Sequence, residues 1–391
     1  MTPAARLQAA IELVDEIVAA ARGAGAAADT LIARYFKTRR YAGSKDRRAV
    51  RELVFAAVRR AGEAPVSGRA ALLGLARETS ALLPLFDGSA HGPAPIAGGE
   101  PEAARGIAPA WLLARMALPA DALPALLERA PLDLRVNRLK GTREAALALL
   151  PEAAPTPLSP LGLRLPEGFR VDDTEAWRSG LVEIQDEGSQ LICLACAAAP
   201  DMVVVDLCAG GGGKTLALAA EMAGEGRILA TDTDRARLAR MAPRLARAGV
   251  GNVEARLLDP GREAAALADL AGQADLVLVD APCSGTGTWR RNPETRWRVT
   301  PARLERLTAL QARLLDLGAT LLKPGGRLVY VVCSLLPEEG SAQASALTAR
   351  SSLVPEPLAM TAGREAGSGR LLEPGQDGTD GFFVARWHSP C

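Results

Sequence analysis

Apolar residues recur every three or four positions at the start of the chain, which predicts an N-terminal region built of helices. Leu7, Val14 and Ile17 fall on one face of a first helix. A second helix is predicted over residues 28–40 and a third over residues 46–60, after Ser44 as its N-cap. Glycine and proline are frequent in residues 91–101, which we interpret as a loop.

The pattern then changes to short apolar runs. Strands at residues 132–137 and 161–165, with a helix over 143–150, predict a small α/β module. Beyond residue 190, strands and helices alternate regularly. The strands are predicted at 203–206, 227–232, 276–280 and 327–333, and the helices at 215–223, 236–248 and 301–322.

This alternation is typical of an α/β fold with a mostly parallel, doubly wound sheet. We therefore expect a helical domain over residues 1–125, a small α/β module over 126–185 and the α/β domain over 186–391. Ligands of such sheets bind at the carboxyl ends of the strands, where the candidate functional residues of this chain are predicted to lie.

A glycine-rich loop follows the strand at 203–206 and precedes a helix, an arrangement suited to a ligand close to the backbone. A phosphate-binding P-loop would need a glycine at position 208, which is Cys208. The other interpretation is the first loop of a methyltransferase fold, around the amino-acid end of S-adenosylmethionine. Asp232, at the end of the next strand, would then bind the ribose hydroxyls.

Two cysteines follow two other predicted strands. Asp280 ends one strand and Cys283 lies in the turn after it, while Cys333 ends the strand at 327–333. A cysteine at a strand end is more often a small buried residue than a nucleophile. Because neighbouring strand ends of a parallel sheet lie side by side, however, both thiols are expected to face one pocket beside the glycine-rich loop.

Two thiols and one carboxylate meet the chemical needs of methylation at carbon 5 of cytosine. That carbon is too weak a nucleophile until a thiolate has added to carbon 6. After methyl transfer, a base must remove the proton on carbon 5 so that the thiol can leave. Asp280 is placed to stabilise the adduct at the polar edge of the ring.

With these motifs, the sequence resembles the Sun/Nop family of RNA cytosine-5 methyltransferases, of the bacterial ribosomal-RNA type. The resemblance covers roughly residues 131–385 and lies in segments that follow the family order: 131–137, 185–190, 206–215, 280–287, 290–293, 332–338 and 380–383. It implies a Rossmann-like class I methyltransferase domain and S-adenosyl-L-methionine as cofactor.

The resemblance also implies the role of each matching residue. Cys333 would be the nucleophile, Cys283 would assist product release, and Asp280 would act near the base. The cofactor would be bound by Cys208, Ala209, Gly210, Gly211, Gly212, Gly213, Lys214, Asp232, Asp259 and Asp280. Cytosine-5 methyltransferases of DNA attack with the Pro-Cys cysteine, so the second cysteine indicates RNA, with small-subunit ribosomal RNA expected and transfer RNA as the rival.

The chain departs from the family pattern at four positions. Gly210 and Gly211 replace the usual Ala-Pro of the loop, which predicts a more flexible loop. Val332 replaces a small residue before the nucleophile, and Gly340 replaces an asparagine.

Charge is balanced overall, with a formal net charge of +1, but it is not uniform along the chain. Residues 34–60 contain ten Lys/Arg and two acids, and arginines interleaved with two tryptophans follow the Pro-Cys turn. Arginine contacts phosphates and aromatic rings stack on unpaired bases, although a solvated helix face with packed tryptophans is the alternative. The expected RNA contacts are Arg39, Arg40, Lys45, Arg290, Arg291, Arg296 and Trp297.

The remaining features favour no other chemistry. Cys193 and Cys196 have C-x-x-C spacing, but without further ligands at suitable spacing we expect them to pack in a core rather than bind zinc. No secretory signal and no apolar run long enough for a membrane span is evident, so a cytoplasmic, monomeric protein is expected. A non-catalytic RNA-binding assembly factor is the alternative from another class, but binding alone needs no thiols.

Overall fold

The structure is a computed structural model that describes residues 1–23, 25–116 and 118–391. The chain folds into two compact units. The first contains Met1–Arg129 together with Ser284–Arg303, and the second contains Ala130–Cys283 together with Leu304–Cys391. The predicted limits at 125 and 185 stay predictions, and the inclusion of Ser284–Arg303 in the first unit had no signal in the hydrophobic pattern.

The first unit is helical, as the hydrophobic pattern predicts. Its α-helices are α1 (Pro3–Ala21), α2 (Ala28–Thr38), α3 (Ser44–Arg60), α4 (Gly68–Glu78) and α5 (Ala110–Leu113). Short 3-10 helices occur at Ser80–Leu85, Ala120–Leu127, Thr286–Thr288 and Pro293–Arg298. Apolar faces of α1 to α4 share one core, which includes Leu7, Val14, Val54 and Trp297.

Helix α3 starts two residues earlier than predicted, and its N-cap lies one residue earlier. Ser44 is the first helical residue, and Gly43 is the N-cap. The carboxylate of Asp46 accepts a hydrogen bond from the Gly43 amide at 3.2 Å. It therefore satisfies a free N–H at the helix start in place of a serine cap.

The second unit begins with the small α/β module. Its sheet is antiparallel, in the order β2-β3-β1-β4, and its strands are β1 (Leu132–Val136), β2 (Ala154–Pro155), β3 (Gly162–Leu165) and β4 (Val182–Ile184). Helices α6 (Arg143–Leu149) and α7 (Glu175–Arg178) and a 3-10 helix at Val171–Asp173 accompany it. Leu134, Val136, Leu163 and Val182 form its core.

A larger sheet, in the order β11-β12-β13-β9-β8-β5-β6-β7, follows, with β10 paired to β13. Its strands are β5 (Val203–Asp206), β6 (Arg227–Asp232), β7 (Val253–Leu257), β8 (Ala274–Asp280), β9 (Leu322–Val332), β10 (Val354–Pro355), β11 (Arg364–Ala366), β12 (Gly369–Leu372) and β13 (Phe382–His388). Strands β5 to β9 are parallel to their neighbours in that group, and the pairs formed by β10 to β13 are antiparallel. The sheet is thus mostly parallel at its centre, as predicted.

The helices of this domain are α8 (Glu187–Ala195), α9 (Gly213–Glu221), α10 (Arg235–Ala239), α11 (Met241–Ala248), α12 (Glu263–Ala266), α13 (Pro301–Leu321), α14 (Ser341–Arg350) and α15 (Pro374–Asp377), with a 3-10 helix at Ala268–Leu270. The single helix predicted over 236–248 is wrong in one respect, because it is divided at Arg240. Pro243 has no N–H to donate and is best tolerated in the first turn of a helix, where α11 places it.

The strand order positions the functional site. Chain order reverses between β8 and β5, and in such sheets the crevice at the reversal binds the ligand. Apolar side chains such as Val204, Leu278 and Val331 fill the centre of the sheet, so the polar groups are concentrated at the strand ends. Among the helices of the described residues, we find none that combines the length and the hydropathy of a membrane span.

Candidate active site

The structure brings the two cysteines of the sequence analysis together. Strands β8 and β9 are parallel neighbours, with Asp280 opposite Val331. Cys283 lies three residues after Asp280, and Cys333 follows β9 directly. Their Sγ atoms are 3.3 Å apart, and both cysteines are reduced and partly exposed. A single ligand at this strand edge can therefore reach both sulfur atoms.

The carboxylate that ends β8 is held by a lysine of the glycine-rich loop. Lys214 Nζ donates a hydrogen bond to Asp280 Oδ2 at 2.7 Å. Burial alone would lower the pKa of Lys214, but Asp280 and the nearby Cys193 and Cys333 sulfurs raise that pKa above its ordinary value. The site thus contains a fixed ammonium beside a carboxylate that is 30% exposed.

The glycine-rich loop has a backbone shape that few residues other than glycine adopt. Gly210 and Gly212 have φ angles of +56° and +81°. A Cβ atom on Gly212 would lie 2.6 Å from Met241 Cγ, closer than packed atoms allow. Arg244 donates a hydrogen bond to the Gly211 carbonyl, which restrains the loop at one of the two positions where glycine replaces the family's residues.

Asp232 ties this loop to the end of β6. Its Oδ2 accepts a hydrogen bond from the Gly210 amide at 2.9 Å, and its Oδ1 accepts one from the Asp234 amide at 2.8 Å. The guanidinium of Arg237 lies 3.6 Å from Asp232. Asp259, at the end of β7, is exposed. The acids predicted to bind the cofactor therefore lie at adjacent strand ends.

Asp206, the acid that ends β5, is fully buried under the loop. Thr215 Oγ1 donates a hydrogen bond to its Oδ2 at 2.6 Å, while the buried Oδ1 has no hydrogen-bond partner among the residues that the structure describes. Burial raises the pKa of Asp206 to about 7. Burial likewise raises the pKa of the Cys208 thiol, which disfavours its thiolate form.

These observations fit a ligand with an amino-acid end and a ribose. Two glycines of the loop have left-handed backbone conformations, one oxygen of Asp206 has no partner among the described residues, and carboxylates lie at the ends of the four adjacent strands β8, β5, β6 and β7. The loop amides and these acceptors are the groups that such a ligand needs.

Arg296 and Trp297 are not placed as expected for RNA contacts. Arg296 is fully buried and donates hydrogen bonds to the carbonyls of Val58, Arg59 and Ala61. Trp297 Nε1 donates to the Ala61 carbonyl at 3.1 Å. Both side chains thus join Ser284–Arg303 to the core of the first unit. We therefore do not propose Arg296 and Trp297 as RNA contacts.

The other expected RNA contacts differ in exposure. Arg290 is buried and Arg291 is partly exposed. Arg39 is also partly exposed, with its guanidinium 3.5 Å from the centre of the Tyr35 ring. Arg40 and Lys45 are exposed, which leaves both side chains accessible to a polyanion.

Among the described residues, no group of three or more His, Cys, Asp or Glu is arranged to hold a metal ion. Cys193 and Cys196 are buried at the end of α8, where the helix packs against the sheet. This is the core position predicted for them.

Comparison with known proteins identifies the family. The model of the 16S rRNA methyltransferase RsmB/F family matches residues 193–388, which include the glycine-rich loop and both cysteines. This chain belongs to the RsmB/F family. It is 37% identical over 292 residues to ribosomal RNA small subunit methyltransferase B of Salmonella arizonae, in an alignment that covers 72% of this chain. The alignment spans 66% of the relative, slightly less than two thirds of its length.

Two solved structures share the fold of this RsmB/F family member. A methyltransferase homolog protein from Pyrococcus horikoshii is 30% identical, with a TM-score of 0.61 over 68% of this chain and 89% of that chain. The crystal structure of PH0851 has a TM-score of 0.79 and covers 99% of both chains at 23% identity, which shows a shared fold.

Within the segment that matches the RsmB/F family, the structure adds contacts that sequence reasoning missed. The hydrogen bond between Lys214 and Asp280 joins two motifs 66 residues apart. Asp206 was seen only as the start of a motif, although an acid at the end of a buried strand was the signal that could have identified it. Neither the contact between Lys214 and Asp280 nor the burial of Asp206 follows from spacing along the chain.

Proposed function

We propose that this protein transfers a methyl group from S-adenosyl-L-methionine to carbon 5 of a cytosine in small-subunit ribosomal RNA, with Cys333 as the covalent nucleophile. The observation that carries the proposal is the 3.3 Å separation of the Cys283 and Cys333 sulfurs beside Asp280. Membership of the RsmB/F family supports the substrate class.

Cys333 is the candidate for the attacking thiolate because it occupies the position that the family resemblance assigns to the nucleophile, directly after β9. When the thiolate adds to carbon 6, the electron pair of the 5,6 double bond becomes available at carbon 5. Carbon 5 can then take up a methyl group.

Cys283 is placed to act in the second half of the reaction. Once carbon 5 carries both a methyl group and a proton, removal of that proton restores the double bond and expels Cys333 from carbon 6. Cys283 lies close enough to the adduct sulfur to assist this step, directly or through one water molecule. Its replacement should therefore trap the covalent complex rather than prevent its formation.

Asp280 and Lys214 would bind the polar edge of the base. A carboxyl group there can share a proton with the ring nitrogen when charge develops on it after attack at carbon 6. The hydrogen bond from Lys214 fixes the orientation of Asp280. This commitment of Lys214 also argues against the P-loop interpretation, in which the lysine would face a phosphate.

S-adenosyl-L-methionine, when bound, supplies an electrophilic methyl group on a sulfonium. The loop from Cys208 to Lys214 would surround its amino-acid end, and Asp232 would accept hydrogen bonds from the ribose hydroxyls. Asp259, at the next strand end, would lie near the adenine. The exposed Arg40 and Lys45 of the first unit would contact RNA phosphates.

Incubation of purified protein with labelled S-adenosyl-L-methionine and unmodified small-subunit ribosomal RNA tests the proposal. We expect 5-methylcytosine in the RNA with wild-type protein and none with Cys333→Ala. Thermal protection by S-adenosylhomocysteine but not by ATP would support the cofactor assignment. Methylation of transfer RNA alone would refute the substrate, and turnover by Cys333→Ala would refute the nucleophile.

A further inference from the structure

A buried carboxylate is hydrogen-bonded to the two turns that contain the cysteines. Glu339 is fully buried, six residues after Cys333. Ser334, the residue directly after Cys333, donates a hydrogen bond from its Oγ to Glu339 Oε2 at 2.6 Å. The Ser334 Oγ also accepts a hydrogen bond from the Leu336 amide at 3.2 Å. One oxygen of the carboxylate thus fixes the backbone turn that presents Cys333.

The other oxygen connects to the Cys283 side of the site. Gln311, fully buried on α13, donates from Nε2 to Glu339 Oε1 at 3.0 Å. The same Nε2 donates to the carbonyl of Pro282, also at 3.0 Å. Pro282 directly precedes Cys283, so a single amide nitrogen joins the carboxylate to the backbone of the second cysteine turn.

A tyrosine holds the backbone of Glu339. Tyr330 on β9 donates a hydrogen bond from its hydroxyl to the Glu339 carbonyl at 2.6 Å. Burial raises the pKa of Tyr330, with Cys283 and Glu339 adding to the effect, so the hydroxyl stays protonated and remains a donor. Since Cys333 directly follows β9, the strand that leads to this cysteine also positions Glu339.

We propose that Glu339 is a positioning residue that sets the relative placement of Cys333 and Cys283, through Ser334 on one side and Gln311 on the other. The inference rests on the proposed function. Hydrogen bonds in a buried network are short and directional, and an error of about 1 Å in a reacting group can cost on the order of 100-fold in rate. Neither Glu339 nor Gln311 needs to contact RNA or cofactor in this role.

The two arms of the network predict opposite effects on the covalent adduct. Ser334→Ala loosens the turn of the attacking cysteine, so adduct formation in a single turnover should slow by about tenfold. Gln311→Met removes the link to Pro282 with little change in side-chain volume, so Cys283 loses its placement and adduct should accumulate, as with Cys283→Ala. Glu339→Gln can keep both contacts if its Oε1 accepts from Gln311 Nε2 and its Nε2 donates to Ser334 Oγ, so it should stay near wild type, whereas Glu339→Ala loses both contacts.

The experiment measures the fraction of protein cross-linked to RNA on denaturing gels over time, alongside Tm and S-adenosylhomocysteine affinity. Thr348→Val is the matched control, because Thr348 Oγ1 accepts a partly buried hydrogen bond from Trp387 Nε1 at 2.9 Å, a contact that involves neither cysteine. This control should lower Tm without changing the adduct fraction.

An adduct fraction that falls with Ser334→Ala and rises with Gln311→Met would support the inference. Changes of the same sign in both variants, or changes that follow Tm as in Thr348→Val, would overturn it. Absence of any adduct with Cys283→Ala would instead refute the proposed function, and this inference with it. If Cys283→Ala traps the adduct normally but Ser334→Ala and Gln311→Met have the adduct fraction of wild type, the inference is overturned and the proposed function is not.

Discussion

The Cys283 and Cys333 sulfurs are 3.3 Å apart, although the two residues are separated by 50 positions along the chain. The parallel register of β8 and β9 causes this approach, because it places Asp280 beside Val331 and so brings the two following turns to one edge. A substrate bound at this edge therefore meets both thiols.

Mild oxidation should join these two cysteines. A disulfide-exchange oxidant such as diamide would take two electrons and two protons from the pair and leave a Cys283–Cys333 disulfide. We expect loss of methylation and recovery with dithiothreitol. Peptide mass mapping would locate the bond, in a Cys391→Ala background because Cys391 is the exposed thiol. Cross-links that form only between molecules would contradict the observed proximity.

Substitution in the glycine-rich loop should depend sharply on position. Gly212→Ala forces an L side chain into the left-handed region, at about 1–2 kcal/mol, and against Met241. Affinity for S-adenosylhomocysteine should fall by about tenfold or more, since about 1.4 kcal/mol corresponds to tenfold. Gly211→Ala is the matched control, because its Cβ would meet only the end of the Arg244 side chain, at 3.3 Å. Calorimetry showing equal affinities would refute this view of the loop.

Much of the fold could be predicted from the sequence because hydrophobic periodicity reports which face of an element is buried. The strands at 203–206 and 227–232 were predicted with the limits that the structure has. Strand β7, with its exposed Glu254 and Ala255, lacks a continuous apolar run and was missed. The antiparallel strands β10 to β13 were missed as well, because several are only two to four residues long.

Site residues that lie within one sequence motif could be predicted. Contacts between segments distant in the sequence could not. The cysteines and the glycine-rich loop are visible in the sequence, but the link from Glu339 through Gln311 to Pro282 depends on packing. Packing also explains one departure from the family. A Cβ atom on Gly340 would lie 2.8 Å from the Phe383 ring, so an asparagine would not fit there without a shift.

The ionisation of Asp206 should make stability depend on pH near neutrality. Its pKa is raised to about 7, so the folded protein binds this proton more tightly than the unfolded chain does. The resulting contribution to the free energy of unfolding is complete below the ordinary pKa of aspartate, and it is lost as the pH rises through about 7. Asn cannot ionise but can still accept the hydrogen bond of Thr215. From about pH 5.5 to 8.5, the Tm of wild type should therefore fall relative to that of Asp206→Asn. A constant difference would contradict the assignment.

Basic residues of the first unit should divide into contacts with RNA and contacts within the protein. Arg40→Ala and Lys45→Ala should each weaken RNA binding and reduce the salt dependence of log Kd by about one, with unchanged Tm. Arg296→Met should instead lower the free energy of unfolding by about 2–4 kcal/mol, because buried carbonyls lose their donor. Salt titrations that find no change for Arg40→Ala and Lys45→Ala would remove this surface from the RNA interface.

The most direct measurement is to trap the covalent intermediate and locate its attachment. Cys283→Ala protein incubated with small-subunit ribosomal RNA and S-adenosyl-L-methionine should form a complex that survives denaturation. After nuclease and protease digestion, mass spectrometry should find a 5-methylcytosine nucleotide on the peptide that contains Cys333, and Cys283→Ala/Cys333→Ala should yield none. An adduct at any other residue, or continued turnover by Cys333→Ala, would contradict the account.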